Sequence, residues 1–455
     1  HVTEGLSQQA AFMEFVKVVF LKLLSDKEIR KVYPQAVSEE RIEVPLDEVR
    51  FSKHWIESRE RDAANPLSSI QFRQLLLDME KEIDDGKRKR VFNLNEAISL
   101  KPQTIKHIVE KLEKVYLFGI DADLNGRLFE TFLNATMRGK DLGQFFTPRS
   151  VVKLGTRLAN PKVHSLQKDG TFHTDTIVDA CCGTGGFLIE ALADMWAKAE
   201  ANPMLSDGER DSLKREIANE HILGVDFGKE PPLARIGRLN MYLHGDGGSR
   251  IFQADALDKA VATYEDEDAE TTKQKRELKA IFGQPFAHVV LTNPPFAKTY
   301  DRESDDEKRI LNEYALSTFG QRVHAPRSVL KSSLMFVERY HDILVDGGTL
   351  VTILDDSLLG GKDFGWFRDF VRERFIVRAV ISLPGDAFQR SNARVKTSLV
   401  VLTKRSAENT DPQPAAFMYP ARYIGVDDPA RQRTLSIDHD NRRLAQVEID
   451  RIVAA

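Results

Sequence analysis

Cysteine is almost missing from this chain: two in 455 residues, Cys181 and Cys182, and they are neighbours. Adjacent cysteines rarely bridge one another, so a disulfide scaffold is excluded and a reducing, cytoplasmic setting is expected. Neither follows a proline and no Cys or His pairs recur at zinc spacing, so neither a Pro-Cys nucleophile nor a metal is expected. Long apolar runs are missing too. Nothing reaches the roughly 18 residues of a membrane span, and no signal-peptide pattern opens the chain. There is no excess of positive charge: at a net −4, any surface for a polyanion has to be a local patch or be supplied by a partner. There are no internal repeats. The chain opens on His1 rather than Met, so residues upstream are expected.

What remains is an ordinary globular composition, 42% hydrophobic and 29% charged, with length enough for two or three domains. Phe12, Phe15, Val16, Val19, Leu23 and Leu24 share one helical face. Further helical patterns run from Ile70 to Ile83 and from Thr104 to Leu117, punctuated by Pro34, Pro45, Pro66 and Pro102. Residues 1–118 therefore read as an α-helical N-terminal domain. Its sharpest basic cluster, Lys87 to Arg90, is either a solvated helix end or a phosphate contact.

Beyond residue 120 strands and helices alternate. Strands are expected at 177–179, 222–226, 250–255, 287–293, 349–354, 376–383 and 397–403, with helices between them. That rhythm predicts an α/β fold over 119–405, a Rossmann-like, doubly wound, mainly parallel sheet of seven strands. Its ligand crevice belongs at the carboxyl ends of the strands. Tyr264 to Lys279 reads as an exposed helix or flexible insertion. Ala297 to about Val329 reads as a long loop with few apolar anchors, at the mouth of the sheet. Residues 406–455 read as a short tail, weakly structured or briefly helical.

The strand ends carry the chemistry. Leu291-Thr292-Asn293-Pro294-Pro295-Phe296 closes an apolar, β-branched run with a polar residue and two prolines. The prolines fix φ and remove two donors, so nearby carbonyls are held rigid. An Asn oxygen, a rigid carbonyl and an aromatic face can together accept two hydrogen bonds from an NH2 group and stack on the ring bearing it. Earlier, Asp179 leads into Cys182-Gly183-Thr184-Gly185-Gly186-Phe187, a glycine turn that lets backbone approach a ligand. Asp226 and Asp255 end the next two strands, placed for ribose hydroxyls and for an adenine amino group. Singly, each acid reads as a cap or a solvated strand end. In order beside a glycine turn they read as a nucleoside pocket. No phosphate-binding loop of the Gly-x-x-x-x-Gly-Lys type accompanies them, which favours a cationic or zwitterionic nucleoside over a pyrophosphate.

The run from Asp179 to Phe187 with Asn293 to Phe296 resembles the cofactor and catalytic motifs of S-adenosylmethionine-dependent DNA amino-methyltransferases. Gly143-Gln144-Phe145-Phe146-Thr147-Pro148-Arg149 resembles a segment of the modification subunits of type I restriction–modification systems, which also carry a helical N-terminal domain. The resemblance covers roughly residues 10 to 405. It implies that Phe146, Thr147 and Pro148 border the methionine part of S-adenosylmethionine. It further implies that Asp179, Gly183 and Gly185 hold the amino-acid and sugar region, Asp226 the ribose and Asp255 the adenine. Asn293, Pro294, Pro295 and Phe296 would be catalytic toward adenine N6, with Phe388 a second aromatic wall for the base or a core phenylalanine. Double-stranded DNA, a DNA-specificity subunit and a restriction subunit are the implied partners. Two departures stand out: Ala180 replaces a usual proline, and the family's long C-terminal helical region is matched only by a short tail.

Other readings stay open at this level. Protein glutamine methyltransferases use the same Asn-Pro-Pro-aromatic run, because an amide NH2 poses the same problem as adenine. Cytosine N4 specificity usually goes with Ser in place of Asn293. The chain could also be an assembly subunit that is inactive until a DNA-reading partner binds. A dehydrogenase would account for nothing at Asn293 to Phe296.

Overall fold

The computed structural model describes residues 5–36, 42–84, 91–117, 147–228, 233–244, 250–321, 326–388, 395–426 and 435–455. Gly143 to Phe146 and Lys87 to Arg90 lie outside them. The chain divides into two compact units, one holding the described residues up to 117 together with 233–244, the other holding the rest.

The first unit is helical. Helix α1, Gln8–Val32, starts on Ser7, whose hydroxyl accepts the Ala10 N–H. Phe12, Val16, Val19 and Leu23 are buried as their spacing requires, and so are Lys22 and Asp26, paired at 2.6 Å. The second Asp26 oxygen accepts the Leu117 N–H at 2.8 Å, which closes the unit's last helical segment onto α1. Leu233–Leu243, expected as a helix, is one and groups with this unit. Arg235 meets both Glu96 oxygens at 2.8 and 2.7 Å.

The second unit is built on one sheet. Its strands are β1 Ile177–Asp179, β2 Ile222–Asp226, β3 Ile251–Gln253, β4 Ala287–Thr292, β5 Leu344–Asp355, β6 Phe375–Ser382, β7 Thr397–Lys404 and β8 Phe417–Pro420. In space they run β8-β6-β7-β5-β4-β1-β2-β3, all parallel except β7. The seven expected strands are present. Strand order reverses between β1 and β4, so helices leaving these two strands cross to opposite sides and open a crevice above their carboxyl ends. The runs are β-branched and buried on both faces, as covered parallel strands must be.

Two segments are more ordered than their composition suggests. After Phe296 the chain makes a closed excursion: Thr299–Tyr300 pairs antiparallel with Leu330–Lys331, and the helix Asp305–Asn312 lies between. Its anchors, Tyr300, Ile310, Leu311, Tyr314 and Leu316, are buried in the same core as the strands, so the expectation of few apolar anchors does not hold. Beyond Lys404, β8 extends the sheet as an eighth strand, and helix α5, Leu435–Ala454, packs against helix α2, Arg149–Ala159. (Helices α3, Gly186–Glu200, and α4, Ser332–Ile343, complete the labels used below.) Buried Glu448 on α5 accepts the Arg422, Tyr423 and Ile424 N–H groups at 2.9, 2.8 and 3.2 Å.

This makes the C-terminal segment testable as part of the fold. Glu448→Ala leaves three backbone donors without their acceptor and should lower the unfolding free energy by about 2–3 kcal/mol. Glu448→Gln should lose less. Urea unfolding reads both; an unchanged midpoint in Glu448→Ala would show that α5 only rests on the sheet.

Candidate active site

The site grows from the ends of β1 and β4. After β1 the chain turns through Gly183 and Gly185, whose φ of +55° and +89° are left-handed and suit glycine. Gly185 caps α3. The turn packs close because β2 carries Gly224: a Cβ there would meet Leu188 at 2.7 Å and Cys182 at 3.0 Å. Asp226, at the end of β2, accepts the Gly183 N–H at 2.9 Å and the Gly228 N–H at 2.8 Å, so it holds the turn in shape. Burial pushes its carboxyl up, while those two N–H groups pull it back.

Asp255 lies beyond β3. It accepts the Leu257 N–H at 3.0 Å and the Tyr300 hydroxyl at 2.6 Å. Lys298 donates to that hydroxyl at 3.0 Å, and its ammonium stands 4.6 Å from the ring centroids of both Tyr300 and Phe227. Phe227 follows Asp226 directly and is 48% exposed, an aromatic face turned to solvent beside the acids.

At the end of β4, Asn293 Nδ2 donates to Thr147 Oγ1 at 3.0 Å. Thr147 precedes Pro148, the N-cap of α2, so the helix places the hydroxyl that orients the amide. With the nitrogen committed to Thr147, Oδ1 is the side chain's acceptor. The Pro295 carbonyl accepts Ser332 Oγ at 2.9 Å, which ties the proline turn to the start of α4. Phe296 and Phe388 are both buried, edge to face, with centroids 6.1 Å apart and planes at 87°. The structure therefore brings together Thr147 with Asn293, Asp226 with Gly183, and Phe296 with Phe388. Asp255 pairs instead with the excursion after Phe296. Phe146 lies outside the described residues.

Beneath these groups is a buried network that pattern reading misses. Thr292 Oγ1 donates to Asp179 Oδ1 at 3.0 Å and lies 2.8 Å from the Tyr340 hydroxyl on α4. The Cys181 N–H reaches the same Asp179 oxygen at 3.2 Å, and Cys181 Sγ is 3.0 Å from Thr292 Oγ1. Burial drives the Asp179 carboxyl up to about 7, against the pull of the Cys181 N–H and the Thr292 hydroxyl. Burial also pushes both cysteine thiols and the Tyr340 phenol up, so they stay neutral. Thr292 could have been noticed as a polar residue ending an apolar run. Tyr340 sits in a helix between Glu338-Arg339 and His341-Asp342 and gave no signal.

His173, Asp175 and His288 also meet, at the opposite, amino-terminal edge of the sheet, closely enough for a metal ion. Their atoms are largely engaged with the protein. His173 Nε2 pairs with Asp175 at 2.9 Å, Asp175 accepts the Lys162 N–H at 2.7 Å, and His288 Nδ1 accepts the Thr176 N–H at 3.1 Å. A lone pair already receiving an N–H is not free to ligate a metal, so this group reads as a hydrogen-bonded brace under β1 and β4.

A family model described as N-6 DNA Methylase matches residues 120–451. The chain is 26% identical over 353 residues to the type I restriction enzyme EcoKI methylase subunit of Escherichia coli K12, covering 75% of this chain and 56% of that one. It is 26% identical over 274 residues to the type II restriction enzyme and methyltransferase RM.BcgI of Heyndrickxia coagulans, covering 59% and 33%. It thus spans from a third to just over half of the length of these curated relatives. In fold it is similar to the methyltransferase subunit of a type I restriction-modification system from Streptococcus thermophilus. The TM-score is 0.52 at 18% identity, over 96% of this chain and 88% of that one. No described helix is long and apolar enough to cross a membrane.

The network makes a prediction about stability. A carboxyl whose folded-state pKa is about 7, against roughly 3.9 unfolded, stabilises most below the unfolded value, and that contribution is lost as pH rises through about 7. Asp179→Asn keeps the acceptor oxygen without the charge. At about pH 8.5 it should raise stability by on the order of 1–3 kcal/mol, the gain shrinking toward pH 4. Thermal unfolding across pH checks this, and a gain independent of pH would contradict it.

Proposed function

This chain belongs to the N-6 DNA methylase family, and on that premise we propose that it moves a methyl group from S-adenosylmethionine to adenine N6 in double-stranded DNA. It would do so as the modification subunit of a type I restriction–modification complex. The observation that carries the reading is Asn293: an amide tethered to Thr147, followed by two prolines and a buried phenylalanine, at the crevice where strand order reverses.

The residues present fit that cofactor. A Cβ on Gly183 or Gly186 would meet nothing within 4 Å, so the turn leaves open space for a ligand against its backbone. Asp179 and Asp226 put carboxylates beside that space, which suits a cationic amino-acid part and a ribose, and Phe227 offers a face for a base. Phe146, Thr147 and Pro148 would border the methionine end, Gly185 the sugar region and Asp255 the adenine. When bound, the cofactor supplies an electrophilic methyl on a sulfonium.

The rest is done by this chain's own groups. The adenine amine is a poor nucleophile because its lone pair is delocalised into the ring. Asn293 Oδ1 and the Pro294 carbonyl accept its two hydrogens, draw the nitrogen toward tetrahedral geometry and localise the lone pair for in-line attack. Pro295 stiffens the turn, and Ser332 anchors its carbonyl. Reaching the amine in a duplex means flipping the base, at a few kcal/mol, offset in part by stacking on Phe296. Phe388, packed against Phe296, is the second wall. Neither cysteine is needed as a nucleophile.

The reading of a base sequence is assigned to a DNA-specificity subunit, and cleavage to a restriction subunit, in the cytoplasm where duplex and cofactor are at hand. The curated relatives support this assembly: the one from Escherichia coli is a methylase subunit of a type I restriction enzyme.

Asn293→Ala should lower methyl transfer by at least about a hundredfold while leaving cofactor affinity within a few-fold, since it removes an acceptor acting mainly in the transition state. Label transfer from S-adenosylmethionine, with calorimetry for binding, reads both. Near-normal transfer would remove Asn293 from its role.

A further inference from the structure

The hydrogen bonds under the site have a direction. The Asp179 carboxylate can only accept, so the Thr292 hydroxyl donates to it at 3.0 Å and must itself accept from its other partners. These are the Tyr340 hydroxyl at 2.8 Å, which donates and heads the chain, and the Cys181 thiol at 3.0 Å, a weaker donor. The Cys181 N–H adds a second donor to the same Asp179 oxygen at 3.2 Å. The turn after β1 and the end of β4 thus aim protons at one buried oxygen, and helix α4 orients the second of these through Tyr340. Such donors favour the charged form of a carboxyl that burial would otherwise keep neutral.

We propose that Thr292 and Tyr340 are positioning residues whose hydroxyls form a directed chain that keeps Asp179 ionised in its buried site and so sets the pH range over which this chain binds its cationic cofactor. This rests on the reading above that S-adenosylmethionine is the cofactor and that its amino-acid part faces Asp179. The chain also fixes Asp179 to the residue just before Asn293, so the acid and the amide are placed by one continuous set of bonds.

The other titratable groups facing Asp179 do not obscure the effect. Cys181, Cys182 and Tyr340 stay neutral through burial. Asp226, on β2, carries the one competing charge, and its oxygens are held by Gly183 and Gly228 rather than by Thr292 or Tyr340. Lys298 faces Asp226 and acts on that acid. Changing the two hydroxyls therefore alters the support of Asp179 and the contacts of the neutral Cys181 thiol, and leaves the partners of Asp226 in place. The carboxyl sits near 7, where a modest loss of support changes its charge in the physiological range.

The test is the pH dependence of S-adenosylmethionine binding to the whole chain, followed by calorimetry in two buffers of different ionisation enthalpy. The unaltered chain should lose affinity as pH falls through about 7, releasing protons on binding near that pH and fewer as pH rises. Thr292→Val should move that acid limb upward by about one pH unit, the size expected for a lost hydrogen bond to a charged group. Tyr340→Phe, which removes only the head of the chain, should move it in the same direction by less, and Thr292→Ser should restore it. Circular dichroism confirms folding; if Thr292→Val does not fold, Tyr340→Phe decides. Affinity that drops equally at all pH values, with the limb unmoved, would reduce Thr292 and Tyr340 to packing and overturn the inference. If the unaltered chain binds no S-adenosylmethionine at any pH, the functional reading fails and this inference fails with it.

Discussion

A hydrogen bond of 3.0 Å from Thr292 to Asp179 crosses the sheet between β1 and β4, where strand order reverses. The reversal opens a crevice, and the bond joins its two walls at their lips. On one side, Asp179 begins the glycine turn that Asp226 holds by two backbone N–H groups. On the other, Thr292 is followed by Asn293, whose amide is oriented by Thr147, and by prolines whose turn is pinned to α4. Helix α4 serves both walls, through Ser332 at its start and Tyr340 near its end. Parallel strands bring the parts to the same edge; this bond sets how they meet.

The electrostatics of the crevice follow from what lines it. Three acids end β1 and β2 or follow β3, and two of them are buried. Buried carboxylates are costly unless donors or cations compensate them. Asp226 has its backbone N–H groups, Asp255 has Tyr300 with Lys298 behind it, and Asp179 has hydroxyl, amide and thiol neighbours but, among the described residues, no ion-pair partner. A positively charged ligand would complete that balance where a pyrophosphate would oppose it. A chain with no overall positive charge and a locally anionic crevice therefore fits a sulfonium nucleoside.

Much of this was legible in the residues. Apolar runs rich in β-branched residues mark strands, and the seven expected strands fall where those runs are; β1, β2 and β5 end in Asp, and Asn293 follows β4. The glycine turn and the Asn-Pro-Pro-Phe run identify themselves because few other uses demand those residues in that order. What sequence could not carry is pairing across long separations. Nothing local says that Tyr340 meets Thr292, or that Glu448 accepts three N–H groups from Arg422 to Ile424. Phe417–Pro420 is a four-residue edge strand in a polar, proline-containing stretch, with too few residues for alternation to stand out. The excursion after Phe296 hid its anchors among charges, because Tyr300, Ile310, Leu311 and Tyr314 follow no single helical or strand period. Asp226, readable as a ribose acid, has a use that only the fold displays: it holds the glycine turn.

The most direct test is where the methyl group goes. The chain, reconstituted with a DNA-specificity subunit, is incubated with methyl-labelled S-adenosylmethionine and duplex DNA. The DNA is then digested to nucleosides and the protein to peptides for mass spectrometry. The account predicts label in N6-methyldeoxyadenosine and none in protein. Label on a glutamine side chain, or on cytosine N4, would contradict it.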